Sequence, residues 1–144
     1  MDPSVKLGEL ILRNPVIPAS GTFGFGHEMA KWYDLNRLGA VALKGTTREA
    51  RFGNPTPRVA ECEAGLLNAV GLQNPGVDAV VREELPRLRA VYSGPVIANV
   101  CGFSAEEYVE VARRFDEAGA DILEINVSCP NVRHGGLAFG ASPE

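Results

Sequence analysis

The sequence predicts an α/β fold in which helices cover a parallel β-sheet. Short apolar runs alternate along the chain with segments whose apolar residues recur at helical spacing. This order of strand, helix and strand requires right-handed crossover connections, which make the strands parallel and place the helices outside the sheet. Several predicted strands also end at a polar side chain, and parallel α/β sheets carry their chemistry at that edge.

The strands follow from these patterns in chain order. Residues 5–12 are predicted to form a small β-hairpin that turns at Gly8. A second hairpin or extended excursion is predicted around residues 58–70. The remaining predicted strands are residues 16–20, 40–44, 96–100 and 121–127.

Two helices are predicted between the later strands. The apolar residues of 77–88 recur at helical spacing, and Pro86 predicts a break or restart near the end. Ser104 and Glu107 form a capping-box pattern that begins a second helix, which ends at Gly119. The inward-facing residues of this second helix are predicted to be Tyr108, Val109, Ala112 and Phe115.

Polar side chains stand at the carboxyl ends of the predicted strands. Parallel strands bring their carboxyl ends to one edge of a sheet, so these side chains are predicted to line one site. A single polar strand end is usually only a terminator, but several together favour a functional site. The strand-end residues are Ser20, Lys44, Asn99 and Asn126.

Alternation within each strand predicts which side chains share a face. Side chains two residues apart point to the same side of a strand. One face is therefore predicted to carry the strand-end groups and the residues two or four positions before them. The predicted sets are Ala42 with Lys44, Ile97 with Asn99, and Ile122 with Glu124 and Asn126.

A doubly wound open sheet and a (β/α)₈ barrel both fit these observations. A closed (β/α)₈ barrel typically has about 250 residues, whereas this chain has 144. If the fold is a barrel, residues 1–144 supply its first half, preceded by the N-terminal hairpin, with no separate second domain. No predicted helix covers the last strand, and we interpret the chain as truncated.

Composition and charge narrow the classes of partner. The net charge of −4 gives no basic field, which argues against nucleic acid. No apolar stretch approaches the roughly 20 residues that span a bilayer, and the N-terminus has no secretion-signal pattern. We therefore expect a cytoplasmic protein without a membrane segment.

The cysteines and histidines give no metal-site pattern. Three widely spaced cysteines without a CxxC pair predict free thiols in a reducing compartment and no metal. Cys62 and Cys101 are interpreted as small buried hydrophobes. His27 and His134 are interpreted as surface or loop residues.

Three features are candidates for chemistry. Lys44 ends a wholly apolar strand and is either a cation for an anionic ligand or a snorkelling side chain at the sheet edge. The segment NAVGLQNPG at residues 68–76 is either an ordinary turn or a set of amides that hold a small polar ring. Cys129, in the loop after the last strand, is either a buried hydrophobe or a reactive thiol.

Five motifs in order resemble dihydroorotate dehydrogenase, in particular the class 1B catalytic subunit. The resemblance runs from the first hairpin to the last loop. Class 2 members carry a serine and an added membrane segment where class 1 members use a cysteine base, and this sequence has the cysteine. The motifs are NPVIPASGTFGFG (14–26), LKG (43–45), NAVGLQNPG (68–76), IANV (97–100) and EINVSCPNV (124–132).

The resemblance implies a (β/α)₈ barrel that binds FMN and oxidises (S)-dihydroorotate to orotate in de novo pyrimidine (UMP) biosynthesis. The base that removes the C5 proton would be Cys129, while a hydride leaves C6 for the flavin. Flavin contacts would be Ser20, Lys44, Gly45, Asn99 and Asn126. Substrate contacts would be Lys44, Asn68, Ala69, Val70, Gly71, Leu72 and Asn126.

The resemblance also implies partners. A homodimer of this subunit would join a second subunit that carries FAD and a 2Fe–2S cluster, in a heterotetramer that passes electrons to NAD. The loops that bind the FMN phosphate would lie beyond residue 144. The glycine-punctuated segment after Cys129 would be a lid or merely a flexible end. Two alternatives stay open, namely a dihydropyrimidine dehydrogenase-like enzyme and an inactive truncated half-barrel.

Overall fold

A computed structural model describes residues 2–129 and residue 140 of the chain. The strands are β1 (Val5–Leu7), β2 (Leu10–Leu12), β3 (Val41–Ala42), β4 (Val59–Cys62), β5 (Gly65–Asn68), β6 (Val96–Val100) and β7 (Ile122–Ile125). The helices are α1 (Val77–Ala79), a π-helical segment (Val80–Glu84), α2 (Leu85–Arg89) and α3 (Ala105–Glu117), with 3₁₀ helices at His27–Lys31 and Leu35–Arg37.

A three-stranded parallel sheet forms the centre of the fold. Its strand order is β3–β6–β7, so β6 is the middle strand and is buried along its whole length. In the register, Ala42 pairs with Ile97 and Ile97 pairs with Ile122, while Asn99 pairs with Glu124. The carboxyl ends of the three strands therefore meet at one edge, as the sequence predicts.

The two faces of the sheet bury different residues. One face carries Val41, Leu43 and Val96, which pack against the helices. The opposite face carries Ala42 and Ile97, which form a smaller cluster with Leu12 of the N-terminal hairpin and with Ala40. The period-2 assignment of the faces made from the sequence is confirmed. The helix-facing core comprises Phe23, Leu35, Val41, Leu43, Val77, Val80, Leu85, Leu88, Tyr92, Val96, Ala98, Val100, Val111 and Phe115.

Two antiparallel hairpins flank the sheet. Strands β1 and β2 pair at the N-terminus around a turn at Gly8, whose φ of +59° suits glycine. Strands β4 and β5 pair from Val59 opposite Asn68 to Cys62 opposite Gly65. Every residue of this second hairpin is exposed, so it stands out from the core.

The helical stretch from residue 77 to 89 restarts at Pro86, as predicted, because α2 begins at Leu85 with the proline in its first turn. Pro86 cannot donate a backbone hydrogen bond, and its ring would clash with the carbonyl four residues earlier in a regular α-helix. A π-helical segment, Val80–Glu84, widens the helix directly before the proline. The irregularity thus lies ahead of Pro86, and α2 continues to Arg89.

Helix α3 begins as predicted and buries a different stripe. The side chain of Ser104 accepts a hydrogen bond from the Glu107 N–H at 3.3 Å, while Glu107 accepts from the N–H of Phe103 at 2.8 Å. Val109 is 67% exposed, so its predicted inward position is wrong. Val111 is fully buried in its place, because the inward stripe follows i, i+3, i+4 and i+7 from Tyr108.

The predicted strand at residues 16–20 is wrong, because the structure assigns no strand there. Pro18 has no N–H to donate to a ladder. The Val16 carbonyl accepts one backbone hydrogen bond, from the N–H of Gly39 at 2.9 Å. Ser20, at the end of this segment, nevertheless lines the cavity described below. Among the described residues, no helix has the length and apolar character needed to cross a membrane.

Candidate functional site

A cavity of about 570 Å³ opens at the carboxyl ends of the parallel strands. Its size lies within the range of small-molecule sites, and apolar walls with a few polar groups are typical of such sites. The lining comes from the strand ends, the glycine-rich segment, the β4–β5 hairpin and the loop after β7. The lining residues are Ser20, Gly21, Thr22, Lys44, Gly45, Val59, Leu66, Asn68, Val70, Gly71, Leu72, Asn99, Asn126, Ser128 and Cys129.

The cavity collects ten of the eleven residues that the sequence proposed for the site. The exception is Ala69, which does not line it. The N–H of Ala69 donates to the Arg58 carbonyl at 2.8 Å, and its own carbonyl accepts from Asn54 Nδ2 at 2.8 Å. These two bonds hold the backbone of Ala69 against Arg58 and Asn54, whereas Asn68 and Val70 on either side of it line the cavity.

Interlocked amides form the floor of the cavity. Asn126 donates from Nδ2 to Asn99 Oδ1 at 3.1 Å, and Asn99 donates from Nδ2 to Glu124 Oε1 at 2.6 Å. The sulfur of Cys101 lies 3.4 Å from the same Asn99 Oδ1. Asn99 is 1% exposed, and these bonds satisfy its polar atoms at a depth where an unmade hydrogen bond is costly.

Backbone hydrogen bonds fix the strand ends that carry these side chains. The Thr46 N–H donates to the Asn99 carbonyl at 2.9 Å, and the Asn126 N–H donates to the Val100 carbonyl at 2.9 Å. The N–H groups of Val41 and Leu43 donate toward β6, so the Lys44 N–H faces the opposite side of the strand, where it donates to the Gly24 carbonyl at 2.8 Å. This bond brings the glycine-rich segment 20–26 against the strand end of β3, which has two residues where five were predicted.

Gly45 is packed too closely for any side chain. A Cβ atom there would lie 2.9 Å from Asn99 Oδ1 and 3.0 Å from Cys101 Sγ. A larger residue would therefore displace the amide that faces the cavity. The close approach of Asn99 and Cys101 therefore explains why residue 45 is a glycine.

Helix α3 supports the floor from behind. The Tyr108 hydroxyl donates to the Asn126 carbonyl at 2.6 Å. Burial raises the pKa of the Tyr108 phenol, so the hydroxyl keeps its proton and remains a donor. The helix thus holds the backbone of Asn126 in addition to packing against the sheet.

Asn74 fastens the loop after β5. Its Oδ1 accepts from the N–H groups of Thr47 and Gly76 at 3.2 and 2.9 Å, and its Nδ2 donates to Thr47 Oγ1 and the Leu72 carbonyl at 2.9 and 2.8 Å. This buried amide holds Leu72 in a left-handed conformation, φ +56°, a geometry uncommon for residues other than glycine. Gly71 and Leu72 are thereby presented to the cavity.

The β4–β5 hairpin forms the outer wall of the cavity. Val59 and Leu66 line it although each is more than half exposed. At the base of the hairpin, Arg58 donates to the carbonyls of Phe52 and Asn54 at 2.8 and 3.0 Å and also to the side chain of Gln73. Sequence reasoning placed Asn68 at the site but missed Val59 and Leu66, although alternation in β4 and β5 puts all three on one face.

Three further lining residues were not singled out individually. Gly21 and Thr22 belong to the glycine-rich segment at residues 20–26, from which only Ser20 was proposed as a site residue. Ser128 precedes Cys129, and its N–H donates to Asn126 Oδ1 at 3.3 Å. That contact is an Asx turn, a local signal that the sequence Asn-x-Ser could have suggested.

The three cysteines occupy different environments. Cys101 is buried, and burial raises the pKa of its thiol to about 12, so it stays protonated beside Asn99. Cys129 is partly exposed and lines the cavity. Cys62 is exposed at the end of β4, so its interpretation as a buried hydrophobe is wrong, because the hairpin stands away from the core.

The structure describes one of the two histidines that were interpreted as surface or loop residues. His27 begins a 3₁₀ helix and is partly buried, with Nε2 at 2.6 Å from Glu84 Oε2. It therefore links the glycine-rich segment to the helical stretch before Pro86 and is more than a loop residue. His134 and the predicted lid segment, residues 131–142, lie outside the described residues, apart from residue 140. No group of three His, Cys, Asp or Glu side chains within the described ranges could hold a metal ion.

The sequence model of the dihydroorotate dehydrogenase family matches residues 4–144 of this chain. The chain belongs to the dihydroorotate dehydrogenase family. Among curated relatives, one from Anoxybacillus flavithermus is 63% identical over 142 residues, which are 98% of this chain and 45% of that protein. One from Enterococcus faecalis is 54% identical over 142 residues, 98% of this chain and 46% of that protein. Both are named dihydroorotate dehydrogenase B (NAD(+)), catalytic subunit.

Solved structures of family members share the fold. The ligand-free DHODH of Eimeria tenella superposes with a TM-score of 0.71 at 25% identity, over 92% of this chain and 40% of that one. The same enzyme in complex with ferulenol gives a TM-score of 0.69 at 22% identity, over 92% of this chain and 38% of that one. The chain thus spans less than half the length of the family members that it matches.

Proposed function

We propose that this chain supplies the first half of an FMN-binding (β/α)₈ barrel, one domain over residues 1–144, that oxidises (S)-dihydroorotate to orotate in de novo pyrimidine biosynthesis. The observation that carries the proposal is the convergence of Lys44, Asn126 and Cys129 on one cavity at the strand ends. Family membership supports it, as do the names of the relatives, which describe an NAD(+)-linked catalytic subunit.

The donor set of the cavity suits a flat, electron-rich heterocycle. The strand ends offer the ammonium of Lys44 and the amides of Asn99 and Asn126, while Gly21, whose missing Cβ would point into open space, leaves room for close approach of a ring. When bound, FMN supplies the acceptor for the hydride that leaves C6 of the substrate. The residues that would hold it are Ser20, Lys44, Gly45, Asn99 and Asn126.

The substrate is held by groups that match its polar atoms. The carboxylate pairs with the Lys44 ammonium, a charge-assisted contact that is stronger than a neutral hydrogen bond. The amides of Asn68 and Asn126 meet N–H and C=O groups of the pyrimidine ring, which would otherwise be buried unpaired. Backbone groups of the turn after β5, at Val70, Gly71 and Leu72, complete the substrate contacts.

Cys129 acts as the base. Its thiolate takes the proton from C5 as the hydride leaves C6, so that the C5–C6 double bond of orotate forms. A thiol is suited to this task because its ordinary pKa, about 8.5, is closer to neutral pH than that of a carboxylic acid. The partial exposure of Cys129 lets it reach a ligand in the cavity and exchange its proton with solvent.

The protein assembles with partners in this proposal. A homodimer of the catalytic subunit joins a subunit that carries FAD and a 2Fe–2S cluster, and electrons pass to NAD in the cytoplasm. The word "subunit" in the names of the relatives supports a partner. The loops for the FMN phosphate lie beyond residue 144.

The first prediction tests the role of Cys129 in the full-length, FMN-loaded protein. Cys129→Ala should slow reduction of the flavin by dihydroorotate by about 10²- to 10⁴-fold, the usual contribution of a positioned base, while flavin content stays unchanged. Stopped-flow absorbance of the flavin measures the rate. Cys62→Ala is the matched control because Cys62 is an exposed thiol outside the cavity.

Three results would contradict the proposal. An unchanged rate of flavin reduction in Cys129→Ala would remove Cys129 from the chemistry. Reduction of uracil by NADPH, with no reaction of dihydroorotate, would instead favour a dihydropyrimidine dehydrogenase-like enzyme. A full-length protein that purifies without flavin would favour an inactive barrel.

A further inference from the structure

Glu124 stands next to the cavity floor and has no place in the chemistry proposed above. It lies directly opposite Asn99 in the β6–β7 register. Its Oε1 accepts from Asn99 Nδ2 at 2.6 Å, the short distance typical of a charge-assisted hydrogen bond. An ionised carboxylate can only accept hydrogen bonds, so it fixes which end of the Asn99 amide faces it.

The orientation of Asn99 determines the orientation of the next amide. With its nitrogen on Glu124, Asn99 turns its oxygen toward Asn126 Nδ2, 3.1 Å away, and toward the thiol of Cys101, 3.4 Å away. A reversed Asn99 amide would set one NH₂ group against another. Asn126 must therefore direct its nitrogen to Asn99 and its oxygen to the opposite side.

The series of contacts ends at the loop that carries the base. Asn126 Oδ1 accepts from the Ser128 N–H at 3.3 Å, one residue before Cys129. A reversed Asn126 amide would bring its NH₂ group against that backbone N–H. The Glu124 carboxylate at one end and the Ser128 N–H at the other thus agree on the polarity of three successive hydrogen bonds.

We propose that Glu124 is a positioning residue, whose carboxylate sets the amide orientation of Asn99 and, through it, that of Asn126 at the substrate. The inference rests on the proposed function in that Asn126 contacts the substrate. It adds that Glu124, which lies on β7 two residues before Asn126, helps to determine which hydrogen-bonding groups Asn126 presents to the pyrimidine ring. A ring that presents a donor where dihydroorotate presents an acceptor is disfavoured by the same arrangement.

The test compares Glu124→Leu with Glu124→Gln in the full-length, FMN-loaded protein. Leucine removes the acceptor, and the dissociation constant of orotate should rise about tenfold, the effect of one misoriented hydrogen bond. Glutamine keeps an acceptor oxygen and should stay within about threefold of the unsubstituted protein. Titration of the flavin absorbance with orotate measures both values.

A compensating pair separates positioning from simple loss of structure. Asn99→Asp sets two carboxylates against each other and should weaken orotate binding more than either Glu124 variant. Adding Glu124→Gln restores a donor opposite the new carboxylate at position 99, keeps the net charge of the original pair and leaves an oxygen for Asn126 Nδ2. The double variant should bind orotate about tenfold more tightly than Asn99→Asp alone.

A substrate-free readout keeps this inference distinct from the proposed function. In protein labelled with ¹⁵N-asparagine, Glu124→Leu should shift or broaden the side-chain amide signals of both Asn99 and Asn126, whereas Glu124→Gln should change them little. An unmoved Asn126 signal in Glu124→Leu would overturn the proposal, as would a double variant no better than Asn99→Asp. If the unsubstituted protein binds no orotate, the proposed function fails while the amide signals still decide the role of Glu124.

Discussion

The two walls of the cavity are built in opposite ways. The inner wall consists of parallel strand ends, where β6 is buried along its length and Asn99 is bonded on both sides. The outer wall is the β4–β5 hairpin, in which every residue is exposed. The inner wall carries most of the polar groups, whereas the outer wall contributes the apolar Val59 and Leu66 together with Asn68.

The difference suggests separate roles, in which the inner wall positions a ligand and the hairpin covers it. Groups that must meet a ligand within a few tenths of an ångström belong on elements that packing holds rigid. A hairpin with few buried apolar contacts opens at low free energy and can admit and then cover a ligand. We therefore expect substitutions behind the inner wall to change stability strongly and substitutions on the hairpin to change it little.

The largest effect is expected behind the inner wall, at Phe115. This α3 residue is fully buried in the helix-facing core. Phe115→Ala should lower the free energy of unfolding by about 3–5 kcal/mol, the usual cost of emptying an aromatic core site. Urea denaturation followed by circular dichroism measures the change.

Leu67→Ala is the matched control on the hairpin. Leu67 is 63% exposed, so its loss should change the free energy of unfolding by no more than about 0.5 kcal/mol. Equal effects of the two substitutions would contradict the contrast between the walls.

Asn74 joins the two walls and should show the next largest effect. Asn74→Ala removes four hydrogen bonds at once and leaves the Thr47 and Gly76 N–H groups buried without a partner. Unsatisfied buried groups cost about 1–3 kcal/mol each, and partial relaxation leads us to expect a loss of about 2–3 kcal/mol. The same denaturation measures it.

The neighbouring Gln73→Ala serves as the control for Asn74. Gln73 is exposed and accepts one hydrogen bond, from Arg58, so we expect its loss to change stability by less than about 1 kcal/mol. If Asn74→Ala were as mild as Gln73→Ala, the loop after β5 would be held by other contacts.

The inner wall could be predicted from the sequence because its geometry is local and periodic. Alternation in the strands puts Ile97 with Asn99, and Glu124 with Asn126, and a parallel register brings these pairs together. The capping box at Ser104 likewise marks the start of α3 within the sequence itself. The sequence alone therefore predicts which side chains share a face of a regular strand and where a capped helix begins.

The errors have different causes. Val109 was a misread helical spacing, because Val111 and not Val109 shares the i, i+3, i+4 and i+7 stripe that begins at Tyr108. Residues 16–20 contain the apolar pattern of a strand, but pairing requires a partner and a donor that Pro18 lacks. In the outer wall only Asn68 was predicted, and Val59 and Leu66 were missed, because nothing in the local pattern of β4 and β5 says that this exposed hairpin folds toward the strand ends.

The smallest effect is expected at the bond between α3 and the inner wall. Tyr108→Phe removes the donor to the Asn126 carbonyl and should lower the free energy of unfolding by about 1 kcal/mol at neutral pH. Tyr33→Phe is the control, since that ring is 40% exposed on another part of the surface, and it should change stability by less than about 0.5 kcal/mol.

The pH dependence of the Tyr108 contribution has a definite sign. Burial raises the pKa of Tyr108 in the folded protein above its ordinary value, so the unfolded chain loses this proton first as pH rises. The stability that Tyr108 adds is therefore complete below pH about 10 and declines above it, toward the raised folded pKa. The difference between the unsubstituted protein and Tyr108→Phe should shrink in denaturation curves taken from pH about 8 to about 11. A difference that grows over that range would mean that the phenolate, and not the phenol, is the form that the fold stabilises, and the hydroxyl could not then be the donor that holds Asn126.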